Sequence, residues 1–150
     1  MSGIIDSLSN IKQRLSESAA ARTWLGVSTS AAALARIHYY GCPMDGSPVI
    51  VLAPGGGWSR EQVTITQDYL TTPSVMVEFS KAVAKTDSDE TVFTTLATAI
   101  DSVMAELEAQ TTWPILSWQP DSENTPARTK ASASTDYVFY RVNISGNLDS

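Results

Sequence analysis

Ile4, Leu8, Ile11 and Leu15 recur at steps of four, three and four, while Asp6, Asn10, Lys12, Gln13 and Arg14 fall on the other side of the same cylinder. That spacing predicts an amphipathic helix running from Ile4 to about Ala20, with Gly26 at or just past the end of the region. Ala31 to Ile37 adds a short helical turn, and Gly41 with Pro43 breaks the pattern. The period then changes. Pro48 to Leu52 is a short apolar run bounded by turn residues, as a buried strand would be. Pro54-Gly55-Gly56-Gly57 reads as a flexible loop, and Val63 and Ile65 alternate with threonines like a half-buried strand. After Pro73 the alternation sharpens: Val75, Val77 and Phe79 share one face, and Ser74, Glu78 and Ser80 the other.

The second half predicts one long helix and two strands. Asp87 and Glu90 have capping-box spacing, and Val92, Leu96, Ile100, Val103 and Leu107 form one stripe that ends near Gln110. Ile115 to Trp118 is short and apolar. Gln119 to Thr135 is polar and aperiodic, which predicts a long loop of the kind that binds something or stays disordered. Asp136 to Ile144 alternates again, with Val138, Tyr140, Val142 and Ile144 on one face. Each helix offers one apolar stripe and the strands one apolar face. The economical arrangement is a single domain over residues 1–150: an α+β fold in which a single mixed β-sheet is packed by two amphipathic helices, with long loops.

Composition narrows the function. At 43% apolar and 17% charged, the 150-residue chain is too apolar for a disordered protein. A formal charge of −6 argues against a protein that neutralises phosphates, although ten Lys and Arg could still gather on one patch. Cys42 stands alone, so no intrachain disulfide forms, and with only His38 beside it there is no Cys/His set for zinc. The first thirteen residues lack a signal peptide's basic and apolar regions, and no run approaches a membrane helix. A soluble protein in a reducing cytosol is expected, and the sequon at Asn143 is read as chance.

No catalytic constellation emerges, and no metal or cofactor is expected. Pro54 to Trp58 lacks the Gly-Lys-Ser/Thr that closes a phosphate-binding loop. It also resembles the glycine-rich oxyanion loop of esterases, but Gly26-Val27-Ser28-Thr29-Ser30 lacks the last glycine of a nucleophile elbow. His38, flanked by Tyr39 and Tyr40, has no acid–base signature around it. Asp87, Asp89 and Glu90 lack the alternating ligands of a calcium loop and suit a helix start better. Trp58, Trp113 and Trp118 lie with Arg60, Arg128 and Lys130 in or beside expected loops. Trp and Arg are enriched at interface hot spots, so Trp58, Arg60, Trp118, Arg128 and Lys130 are the candidate partner-contact residues.

Taken in order, these elements resemble the tail terminators of long-tailed bacteriophages, small α/β proteins that form a ring, usually of six copies, capping the tail tube and joining it to the head. The resemblance rests on the N-terminal helix from Ile4, the proline-led strand Thr72 to Phe79, the striped helix Glu90 to Glu108 and the closing strand Asp136 to Ile144. It covers nearly the whole chain but lies in element order rather than in a diagnostic motif, and Gly41 to Arg60 is longer and richer in glycine than a minimal member would have. The resemblance implies a non-enzymatic virion protein, assembled in the host cytoplasm. Its partners would be copies of itself, the tail tube protein and a head-connector or neck protein, with DNA passing through the ring. Other neck proteins, such as head-closure or connector subunits, have similar designs. A small-ligand or peptide-binding module built on the Gly55 to Trp58 loop is the alternative from another class, and a pocket lined by Trp58 and Tyr39 would favour it.

Overall fold

The computed structural model describes residues 3–41, 45–65, 68–110, 116–123 and 125–146. Cys42, Trp113 and Ile115 lie outside them. The chain forms an α+β fold with one main mixed sheet. In order, the elements are α1 (Ile4–Ser16), α2 (Ala19–Leu25), α3 (Ser30–Leu34), β1 (Ile37–Tyr39), β2 (Val49–Pro54), β3 (Ser59–Gln62), β4 (Tyr69–Thr72), β5 (Ser74–Ala84), α4 (Asp89–Ala109), β6 (Leu116–Pro120), β7 (Ala127–Lys130) and β8 (Thr135–Gly146). The main sheet runs β1-β2-β5-β8-β6, and β7 lies alongside β6 on the same flank of β8. Among the described residues only the β1–β2 pairing is parallel.

The helix expected over Ile4 to about Ala20 is two helices. Ser18 interrupts it because its hydroxyl accepts the Ala21 amide and starts α2, which Gly26 then closes in the left-handed conformation at φ 71°. The outward face assigned to α1 needs correction as well: Asn10 and Arg14 are buried. Leu8, Ile11 and Leu15 enter the core as the spacing requires. So does the whole aliphatic stripe of α4, from Val92 to Leu107, joined by Met104. The cap of α4 is Ser88, whose hydroxyl accepts the Thr91 amide, one residue beyond Asp87.

Register explains why one sheet face is dry. Val75, Val77 and Phe79 on β5 stand opposite Ile144, Val142 and Tyr140 on β8. This row meets α1 and α4, and Trp24 of α2 packs edge-on against Phe79 with ring centroids 5.9 Å apart.

Two sequence expectations fail here. The stretch from Gln119 to Thr135 is not a long loop: β6 reaches Pro120 and β7 pairs antiparallel with β8, with Arg128 opposite Val138. Its alternation was hidden because a guanidinium takes the place of an apolar side chain. The second failure is the strand expected around Val63 and Ile65. The strands lie on either side, at Ser59–Gln62 and Tyr69–Thr72, and Val63 and Ile65 belong to the connection between them.

Candidate functional site

Among the described residues β3 and β4 form a two-stranded sheet of their own, paired with each other and with no strand of the main sheet. This hairpin leaves the main sheet where β2 ends and returns where β5 begins. Its base is fixed by Gly55, which is buried and donates its amide to the Ser74 carbonyl at 2.9 Å; a Cβ at Gly55 would overlap Ser74 Oγ. Trp58 N–H donates to the Gly55 carbonyl at 3.1 Å, so the glycine run is a hydrogen-bonded turn rather than an open loop. It leads into a strand, not into the helix that a phosphate-binding loop requires.

The hairpin is apolar where it should be polar. Val63 is 53% exposed, Ile65 98%, Tyr69 48% and Leu70 53%. Val63 N–H donates to the Asp68 carbonyl, and Gln62 Nε2 to the Thr64 carbonyl, so local bonds tie the ends of the connection between β3 and β4. The sequence reading missed these four residues as a surface because it took Val63 and Ile65 for half-buried strand positions.

Of the five candidate contact residues, the fold separates rather than gathers them. Arg60 stays exposed on the hairpin, its guanidinium 4.7 Å from the Tyr69 ring centroid. Trp58 is half-buried at the hairpin base, with its Nε1 donating to Ser7 Oγ at 3.4 Å. Trp118 on β6 packs against the core and donates from Nε1 to Glu108 Oε1 at 2.6 Å. Lys130 is exposed at the end of β7.

Arg128 commits its guanidinium within the chain. Nε donates to Asp136 Oδ2 at 2.8 Å, Nη1 to Asp89 Oδ1 and the Asp87 carbonyl at 2.9 Å each, and Nη2 to the carbonyls of Ala84 and Lys85. It ties β7 to the turn between β5 and α4. Lys85 adds a second bond to Asp136 at 2.8 Å. The Lys85 bond first, and then the Arg128 bond, hold the Asp136 carboxyl below its ordinary range.

Two depressions flank these elements. A cleft of about 560 Å³ lies beside the glycine turn, where Ser74, Ser145 and Ser117 stand abreast across three strands, with Asn143 and Trp118 beside them. Neither Trp58 nor Tyr39 lines it. A groove of about 720 Å³ runs between α2 and α4 and reaches Pro48 and Lys81. At its rim the Glu106 carboxylate accepts from Ser18 Oγ and from the Ala20 amide at 2.9 Å. Burial raises the Glu106 pKa, but these bonds and the Arg22 charge outweigh it and bring it below the ordinary value.

Among the described residues no three His, Cys, Asp or Glu side chains are placed to hold a metal ion. No described helix is long and apolar enough to cross a membrane. His38 sits half-buried on β1, opposite Val51. No protein-family model matches the chain, and no curated protein sequence matches it.

Proposed function

We propose that this chain is a non-catalytic structural subunit that assembles with copies of itself into a ring, and that the ring, of six copies, caps the tail tube of a long-tailed bacteriophage and joins it to the head. The observation that supports assembly best is the β3–β4 hairpin. An isolated two-stranded hairpin is marginal in water. This one also holds four large apolar side chains in solvent, and exposed apolar surface gathered on one projecting element suits an interaction site. Docking against a partner answers both costs. The tail-tube role rests on the element order and on the net charge of −6, which would leave DNA free to slide through a lumen.

Electron microscopy of virions carrying a tagged copy tests the reading: a ring of density is expected at the head-proximal end of the tail. Absence of the protein from assembled tails overturns it. Replacing residues 59–72 by a short Gly-Ser linker is expected to leave a folded subunit that no longer assembles, since closing a loop depends weakly on its length.

A second reading rests on the cleft beside Ser74 and Trp118. Among the described residues its lining carries no charged side chain, which suits a neutral polar ligand or an extended peptide backbone. Titration of neutral sugars and uncharged peptides against tryptophan fluorescence tests it, and an unchanged signal removes it.

A further inference from the structure

We propose that neighbouring subunits join head to tail, the β3–β4 hairpin of one copy seating Ile65 in the groove between α2 and α4 of the next. This rests on the ring reading and names the two surfaces that would build the ring.

Position is the first argument. The hairpin springs from the Pro54 and Ser74 ends of the β2–β5 pair. The groove reaches Pro48 and Lys81, just past the opposite end of the β2–β5 pairing, where Val49 faces Ser80. Seven residue steps along β5 take Ser74 to Lys81, a span of roughly 24 Å at the usual rise. Knob and socket therefore occupy opposite ends of one rigid pair. Displacing one copy along those strands brings the knob of one to the socket of the next. A contact between two different patches is heterologous, and repeated with a suitable rotation it closes into a ring.

Shape and charge give the second argument. The groove is walled by Ala20, Trp24, Thr95 and Ala99, short side chains around one large ring, and leaves about 720 Å³ empty. Ile65, 98% exposed, is a branched aliphatic side chain of the kind such a depression accepts. Lys81 stands with its ammonium 5.3 Å from the Trp24 ring centroid and forms no ion pair among the described residues. On the hairpin, Glu61 is exposed opposite Leu70 and likewise forms no ion pair among them. Glu61 of one copy and Lys81 of the next are the charge pair that sets the register of the contact.

Cross-linking between single cysteines tests this in the full chain, with Cys42→Ser to remove the native thiol. Ile65→Cys and Thr98→Cys both alter exposed positions, Thr98 lining the groove. With a short bismaleimide, the double variant is expected to give a ladder of covalent multimers. A mixture of the two single variants should stop at a dimer joined 65 to 98, and each single variant alone should stay uncoupled. Coupling of Ile65→Cys to itself, or no coupling in the mixture, overturns the inference. Microscopy of the unmodified protein separates the two claims: rings without 65–98 coupling leave the ring reading standing and remove this contact.

Discussion

Arg14 and Gln110 hold each other reciprocally: Arg14 Nε donates to Gln110 Oε1, and Gln110 Nε2 returns a bond to the Arg14 carbonyl, both at 3.1 Å. Arg14 Nη2 also donates to the Leu107 carbonyl at 2.9 Å. The Leu107 carbonyl, which also accepts the Gln110 amide at 3.3 Å, lies at a helix C-terminus and carries partial negative charge, so a buried guanidinium reinforces the end of α4 while fixing the end of α1. Burial pushes the Arg14 pKa down, as expected for a cation taken out of water.

Arg14→Met keeps much of the packing and removes the donors. It is expected to cost about 1–3 kcal/mol, the usual worth of hydrogen bonds made by a charged group. Denaturant melts check the value. Arg14→Lys is expected to recover little, because an ammonium does not reproduce the planar fork.

Leu96 is fully buried on α4, and Thr98, two residues on, is exposed. Leu96→Ala is therefore expected to cost about 2–5 kcal/mol, whereas Thr98→Ala should stay within about 0.5 kcal/mol. Equal effects in denaturant melts would mean the helix face is misassigned.

Apolar periodicity made most of the core legible, since Leu8, Val77, Leu96 and Val142 repeat with the period of the element that carries them. It failed where polar side chains take core-side positions or apolar ones take solvent. Arg14 reads as surface because charge is normally solvated, and only the approach of the α4 C-terminus, nearly a hundred residues away, gives it partners. Arg128 hid β7 for the same reason. Val63 and Ile65 failed in the opposite direction, because alternation says nothing about whether a partner sheet exists. The candidate site was correspondingly half legible. Trp58 and Arg60 do mark the hairpin, whereas the groove between α2 and α4 has no sequence signal, being lined by alanine and threonine from separate elements.

Two carboxylates make stability depend on acid. Asp136 is held below its ordinary range, chiefly by Lys85 and then Arg128, and Glu106 is lowered on balance by Ser18, the Ala20 amide and Arg22. A carboxyl depressed on folding contributes stability above its unfolded pKa, about 4, and loses it as pH falls through the folded value. Hydrogen exchange between pH 6 and pH 3, corrected for intrinsic rates, should show β7 and α2 losing protection in acid. Asp136→Asn is expected to remove the pH dependence at β7 and leave that at α2.

The last prediction concerns how the hairpin is aimed. Gly55 and Ser74 meet where the arm leaves the main sheet, and a Cβ at Gly55 would overlap Ser74 Oγ and crowd its Cβ and carbonyl carbon. The residue is glycine for want of space. Gly55→Ala should force the strand ends apart and cost about 1–3 kcal/mol, the usual penalty for overpacking. Ser74→Gly removes the first two obstacles and leaves the backbone carbon, so the double variant should recover part of the loss, not all. A double-mutant cycle in denaturant measures that coupling directly. Strictly additive costs would mean that the two residues do not press on each other, and that some other contact sets the direction of the arm.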